Sequence, residues 1–145
     1  MADIWFLFRN APRTVRLLRS HLVPPAFRER LMLAVISVYG CRYCTWVHTR
    51  EAFRSGMSED EIASLLAGSV AGCPPEEATA VLYAQHWADS EAKPTPESTQ
   101  RLVESYGPQK AEAVNLVLRM IRVGNLSGNT WDYLLYCLSF GRLGA

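Results

Sequence analysis

The chain has 145 residues, a net charge of +1 at pH 7, and a composition that is 49% hydrophobic and 20% charged. This length suits one domain with one core, so residues 1–145 are predicted to form a single domain. A net charge so close to zero argues against nucleic acid or an anionic membrane surface as a partner.

The N-terminal apolar run Trp5-Phe6-Leu7-Phe8 is only four residues long. It is too short for the core of a signal peptide and far too short to span a bilayer. We expect it to pack on the domain or on a neighbouring subunit. We also expect a cytoplasmic protein, in which structural disulfides are rare and a Cys-x-x-Cys pair is more often redox-active or metal-binding.

Helical periodicity dominates the whole chain, and almost no alternation of strand type is present. The pattern predicts an all-α fold, a single compact domain of about seven or eight helices. In the first half, helices are predicted over residues 12–22 and 25–38, from the cysteine segment to near Gly56, and over residues 58–67. In the second half, they are predicted over residues 75–87, 96–106, 108–121 and 133–140, with a turn at residues 124–129.

The second of these helices carries apolar residues around nearly its whole circumference and is therefore predicted to be central and buried. Glu29 lies within it, and its neighbours three, four and seven positions on are Met32, Leu33 and Ile36. A lone buried carboxylate is costly, so Glu29 needs a partner. That partner is either a histidine from an adjacent helix or a surface arginine such as Arg28 or Arg30.

Two cysteines and a histidine carry the most chemical information. Cys41, Cys44 and His48 occupy positions i, i+3 and i+7, which share one face of an α-helix. Cys41 is expected at the helix start, where unpaired N–H groups and the dipole favour an anion, and Arg42 adds positive charge if it points that way. Cys44 and His48 are one turn apart, so imidazole and thiol can meet directly or through one water. The pattern favours a reactive thiolate over a pair of buried, inert cysteines.

With Glu29 orienting His48, and His48 exchanging a proton with Cys44, these groups form a relay suited to nucleophilic catalysis. In a peroxidase cycle, one thiolate attacks the O–O bond and becomes a sulfenic acid, and the other thiol condenses with it to give a Cys41–Cys44 disulfide. An external thiol resets the site by exchange. Which cysteine attacks stays open: helix position favours Cys41 as the more accessible thiol, whereas His48 favours Cys44 as the activated one.

A metal site is the alternative use of the same residues. The cysteine pair and the histidine would supply three ligands, whereas structural zinc takes four. Cys73, His86 or Cys137 would have to supply the fourth, and none of them lies in a second knuckle. Without zinc, Cys73 is interpreted as structural, Cys137 as a core residue and His86 as a satisfied structural histidine.

The spacing from Glu29 to Cys41-x-x-Cys44-x-x-x-His48 resembles the alkylhydroperoxidase D-like branch of the carboxymuconolactone decarboxylase superfamily. Residues 28–68 are similar to that branch throughout, including Cys41-Arg42-Tyr43-Cys44. Residues 124–130 with Asp132 are also similar to segments of the superfamily, less specifically. The decarboxylase branch lacks the Cys-x-x-Cys pair, which argues against a lactone decarboxylase.

The resemblance implies an all-α fold with its catalytic core at about residues 25–70, assembled into homo-oligomers. It implies a thiol-dependent peroxidase without metal or flavin, acting on a small hydroperoxide and reset by a thiol reductant or a peroxiredoxin-type protein. Glu29, Cys41, Cys44 and His48 fall on the family's catalytic positions. Tyr43 stands where the best-known branch has a second histidine between the cysteines, so the role of that histidine is absent or changed here.

Two further functions remain open on the sequence. The pair could reduce the disulfide of a peroxiredoxin partner without meeting peroxide itself, or the chain could be a non-enzymatic, zinc-stabilised helical module that forms oligomers.

Overall fold

The computed structural model describes residues 2–143, apart from the side chains of residues 2, 17 and 18. Within that span the chain is all-α: seven helices and no strands. The helices are α1 (Ala2–Arg9), α2 (Ala11–Arg19), α3 (Pro25–Tyr39), α4 (Arg42–Arg54), α5 (Glu59–Leu66), α6 (Pro75–Asp89) and α7 (Pro96–Leu138). The all-α prediction and the predicted number of helices are confirmed. In the described part of the chain, no helix is long and apolar enough to cross a membrane.

Helix α3 lies at the centre of the molecule, as its apolar circumference predicts. It packs against α4, α5, α6 and α7. Eight of its residues are buried: Phe27, Glu29, Leu31, Met32, Leu33, Ala34, Val35 and Ile36. The helix begins at Pro25. Proline suits this position because the backbone N–H that it lacks would have no partner within the helix there. It ends at Gly40, whose left-handed φ of 68° suits glycine and turns the chain directly into the cysteine segment.

The predicted turn at residues 124–129 is wrong, because these residues are helical and belong to α7. Gly107, with φ 75° and ψ 164°, kinks α7 just before Pro108, and the helix then runs on without a break to Leu138. Glycine costs a helix about 1 kcal/mol relative to alanine. Packing of α7 against α3 and α4 offsets that cost at Gly124 and Gly128.

Two charged clusters tie the outer helices to this frame. Arg30 of α3 binds Glu61 of α5 through Nε at 2.5 Å and Glu77 of α6 through Nη1 at 3.0 Å. Asp3 of α1 accepts from both Arg119 and Arg122 of α7. Buried ion pairs of this kind are costly to break because the remaining charge is left without a partner. Arg30 therefore pairs with Glu61 and Glu77 and not with Glu29.

Candidate active site

Cys41 is the N-cap of α4. Its backbone is extended, and its sulfur accepts a hydrogen bond from the backbone N–H of Cys44 at 3.4 Å. The carbonyl of Cys41 accepts from the Thr45 hydroxyl at 3.0 Å and from the Thr45 backbone N–H at 2.9 Å. The sulfur of Cys41 therefore lies where backbone N–H groups and the helix dipole favour negative charge, as the sequence predicts.

Helix α7 covers this end of α4 at Gly124 and Gly128. A Cβ atom on Gly128 would lie 2.6 Å from the sulfur of Cys41, and one on Gly124 would lie 3.8 Å from the sulfur of Cys44. The sulfur of Cys41 thus occupies space that a side chain at position 128 would need, whereas a methyl group at position 124 would make only an ordinary contact with the sulfur of Cys44. No signal in the sequence beyond the four-residue spacing of these glycines indicates this packing.

The two thiols differ in their exposure to solvent. Helix position predicts that Cys41 is the more exposed thiol, and the structure shows the opposite. Cys41 is completely buried, whereas Cys44 is partly exposed. The expectation that Cys41 is the more accessible thiol is therefore wrong. The physical reason is the close approach of α7 at Gly128, which a reading of α4 alone does not reveal.

Cys44 is also a less acidic thiol than the sequence suggests. Burial raises its pKa to about 12, and a hydrogen bond to the Cys41 side chain and the negative charge of Cys41 act in the same direction. A negative charge on one sulfur of the pair therefore opposes ionisation of the other. Both cysteines are free thiols in this structure.

Glu29 and His48 are brought together across the contact between α3 and α4. The Nδ1–H of His48 donates to Oε2 of Glu29 at 2.7 Å, and the Glu29 side chain is buried. Arg28 lies farther away, with its Nε 3.9 Å from the other carboxylate oxygen. Of the two partners left open by the sequence, the histidine thus makes the hydrogen bond. The carboxylate fixes the orientation of the imidazole and leaves Nε2 as the ring nitrogen for proton exchange.

Arg42 and Tyr43 are joined to Asp132 of α7. Asp132 Oδ1 accepts from Arg42 Nη2 at 2.6 Å and from the Tyr43 hydroxyl at 3.0 Å, and Arg42 Nη2 also donates to that hydroxyl at 3.0 Å. The charge of Arg42 is therefore neutralised by Asp132 instead of being directed only at the thiols. Gly124, Gly128 and Asp132 are spaced four residues apart, so they form one face of α7 against the cysteine segment.

The remaining cysteines and His86 lie outside this arrangement. Cys73 is half-buried, and burial raises its pKa to about 11. Cys137 is exposed, so its prediction as a core residue is wrong, because the last turns of α7 extend beyond the core. His86 Nε2 accepts from the backbone N–H of Thr95 at 3.3 Å, as expected of a structural histidine. Among residues 2–143, no three His, Cys, Asp or Glu side chains are grouped so as to hold a metal ion, so the zinc alternative finds no ligand set there.

Comparison with protein-family models gives a match to the carboxymuconolactone decarboxylase family over residues 13–86. The match takes in α3, α4 and α5 and all four residues of the predicted site. The chain belongs to this family. No curated protein and no solved structure gave a significant match.

Gly124 and Gly128 of α7 provide a stability test of the packing at the thiols. In Gly128→Ala the new methyl group meets the Cys41 sulfur at 2.6 Å, and we expect a loss of about 1–3 kcal/mol in the free energy of unfolding. In the matched variant Gly124→Ala the nearest atom, Cys44 Sγ, is at an ordinary contact distance of 3.8 Å, so stability should stay within about 1 kcal/mol of the wild type. Urea unfolding of the reduced proteins measures both. Equal stability of the two variants would contradict the described contact.

Proposed function

We propose that this member of the family is a thiol-dependent hydroperoxidase of the alkylhydroperoxidase D-like type, with Cys44, Cys41, His48 and Glu29 as its catalytic residues. One observation carries the proposal. A buried carboxylate holds a histidine at 2.7 Å, and that histidine follows a partly exposed cysteine of a Cys-x-x-Cys pair by one helical turn. A base fixed by a carboxylate next to a thiol is an arrangement suited to nucleophilic catalysis.

In the first step, Cys44 is the attacking thiol because it is the one that solvent and substrate reach. Its proton passes to Nε2 of His48, directly or through one water. The thiolate attacks one peroxide oxygen, the O–O bond breaks, and Cys44 becomes a sulfenic acid. The leaving alkoxide takes the proton from His48 and departs as an alcohol.

In the second step, Cys41 resolves the sulfenic acid. Its sulfur, favoured as an anion at the start of α4, attacks the Cys44 sulfur. The S–O bond breaks, the hydroxide takes the proton that the Cys41 thiol has given up and leaves as water, and the Cys41–Cys44 disulfide forms. A dithiol reductant then supplies two electrons by thiol–disulfide exchange, which returns both cysteines to the reduced state. A reducing compartment such as the cytoplasm would maintain that reductant.

The proposed roles of the two cysteines predict different products in single variants. Cys41→Ser should still consume about one equivalent of an organic hydroperoxide and accumulate a sulfenic acid at Cys44, because its resolving thiol is gone. Cys44→Ser should lose rapid peroxide consumption, because the remaining thiol is buried. Both should lose turnover with a dithiol reductant. Stopped-flow peroxide consumption and dimedone trapping with mass spectrometry measure these outcomes.

Full turnover in either cysteine variant would contradict the proposal. A sulfenic acid that forms first at Cys41 in the Cys44→Ser protein, at the wild-type rate, would reverse the two roles. If reduced wild-type protein reacts faster with the disulfide of an oxidised peroxiredoxin than with hydroperoxide, the chain is a disulfide reductase instead.

The proposed relay predicts a specific change in pH dependence. Because the pKa of Cys44 is raised to about 12, its thiolate is scarce at neutral pH and general-base help is needed. We expect His48→Ala to slow oxidation of Cys44 near neutrality by about 100-fold or more. Its rate should then rise roughly tenfold per pH unit towards the thiol pKa, whereas the wild-type profile is flatter. Stopped-flow rates between pH 6 and 10 measure this.

Glu29→Gln should give a smaller loss, because the amide still orients the imidazole but does not stabilise its protonated form. Glu51→Gln is the matched control, since Glu51 is an exposed carboxylate of α4 that pairs with Arg54. It should leave the profile unchanged. Superimposable profiles for the wild type and His48→Ala would count against the relay.

We also propose that the protein forms homo-oligomers. Large apolar side chains stay exposed on α1 and on the last turns of α7, among them Trp5, Phe8, Trp131, Tyr133 and Leu138. Exposed apolar surface of this extent is typical of subunit interfaces. Sedimentation velocity at micromolar concentration should give a mass that is a multiple of 16.3 kDa. A monomer under these conditions would contradict the proposal, and Trp131→Lys is expected to shift the distribution towards smaller species.

A further inference from the structure

We propose that α7 shields Cys41 from solvent and peroxide, and that Asp132 is the positioning residue that holds the shield in place through Arg42 and Tyr43. The shield is the face of α7 formed by Gly124, Gly128 and Asp132. It confines the first oxidation to Cys44 and keeps Cys41 reduced for the resolving step. The part of this inference that concerns oxidation rests on the function proposed above.

The shield is closest at Gly128. A Cβ there would lie 2.6 Å from the Cys41 sulfur and 3.6 Å from Cδ2 of Tyr43, so only glycine lets the helix come this near. At this distance α7 excludes water and any larger reagent from the sulfur, in agreement with the complete burial of Cys41. At Gly124 the contact with the Cys44 sulfur is looser, and Cys44 stays partly exposed.

Asp132 lies one turn beyond Gly128 and joins α7 to the first turn of α4. Its Oδ1 accepts from the Arg42 guanidinium at 2.6 Å and from the Tyr43 hydroxyl at 3.0 Å. The Arg42 guanidinium also lies 4.9 Å from the centre of the Tyr43 ring. These contacts flank the Cys41 N-cap directly, because Arg42 and Tyr43 are the two residues between the cysteines. Loss of the carboxylate would therefore release α7 at the one place where it covers Cys41.

The consequence concerns damage to the resolving thiol. A thiol that is favoured as an anion and open to peroxide is oxidised to sulfenic acid and then irreversibly to sulfinic acid. The helix N-terminus favours an anion at Cys41, but α7 buries this thiol and keeps peroxide away from it. Cys41 can thus act on the adjacent Cys44 sulfenic acid while it stays out of reach of free hydroperoxide.

The experiment measures the access of each cysteine separately in the full-length reduced protein. Native protein is treated with isotope-coded iodoacetamide, and the alkylation rates of Cys41 and Cys44 are read by peptide mass spectrometry. In Asp132→Ala we expect the rate at Cys41 to rise at least tenfold. Asp132→Glu keeps the carboxylate and should recover most of the protection. Gly128→Ala tests the same shield without removing the Asp132 contacts and should also raise the Cys41 rate.

Glu112→Gln is the matched control, since Glu112 is another acidic residue of α7 and pairs with Arg13 at 2.6 Å, away from the thiols. It should leave the Cys41 rate unchanged. Rapid alkylation of Cys41 in the wild type, an unchanged Cys41 rate in both Asp132→Ala and Gly128→Ala, or an equal increase in Glu112→Gln would overturn the shield.

A second arm uses excess organic hydroperoxide and quantifies sulfinic acid at Cys41, which should rise at least fivefold in Asp132→Ala relative to the wild type. The two arms separate the two proposals, because alkylation needs no peroxidase activity. Protected alkylation at Cys41 with no oxidation of Cys44 by hydroperoxide would support the shield and reject the proposed function. Oxidation of Cys44 with unprotected Cys41 would do the reverse.

Discussion

The position of a cysteine at the N-cap of α4 is the constraint on which the arrangement of the site depends. Gly40, in a left-handed conformation, ends the central helix and delivers the chain to Cys41 in an extended conformation. The helix that follows then fixes Cys44 one turn on and His48 one turn further. Because α4 packs against α3, the same geometry brings His48 to the buried carboxylate of Glu29.

This constraint also sets the electrostatics of the pair. The N-cap favours an anion at Cys41, and an anion there makes ionisation of Cys44 harder, in addition to the effect of burial. The more accessible thiol is thus the one whose pKa is raised. His48 lies one helical turn after Cys44, and its hydrogen bond to the buried carboxylate of Glu29 fixes the orientation of its ring.

Much of the fold follows from the sequence because its signals are local. Pro25, Gly40, Ser58 and Pro96 mark helix boundaries through backbone conformation or capping, and the structure has them there. The register of Cys41, Cys44 and His48 on one helix is equally local. Contacts between residues far apart in the chain have no such local signal. Gly124 and Gly128 are typical of a turn, yet they lie within α7, where Gly128 leaves room for the Cys41 sulfur.

The same distinction applies to the chemistry of the site. The prediction of a thiolate from the helix dipole leaves out two long-range effects. Helix α7 buries Cys41, and burial together with the neighbouring Cys41 raises the pKa of Cys44. The sequence likewise predicts that the positive charge of Arg42 acts on the thiols. It does not reveal that Arg42 pairs with Asp132, ninety positions away in the chain. Only the partner of Glu29 was limited to a few candidates by the sequence, because few side chains can satisfy a carboxylate among apolar neighbours.

Tyr43 shows how a single position links the two helices. The phenol of Tyr43, on the first turn of α4, donates a hydrogen bond to Asp132 of α7 and accepts one from Arg42. Tyr43 therefore serves the contact between α4 and α7. The Tyr43 hydroxyl thus joins the first turn of α4 to the helix that covers the buried thiol of Cys41.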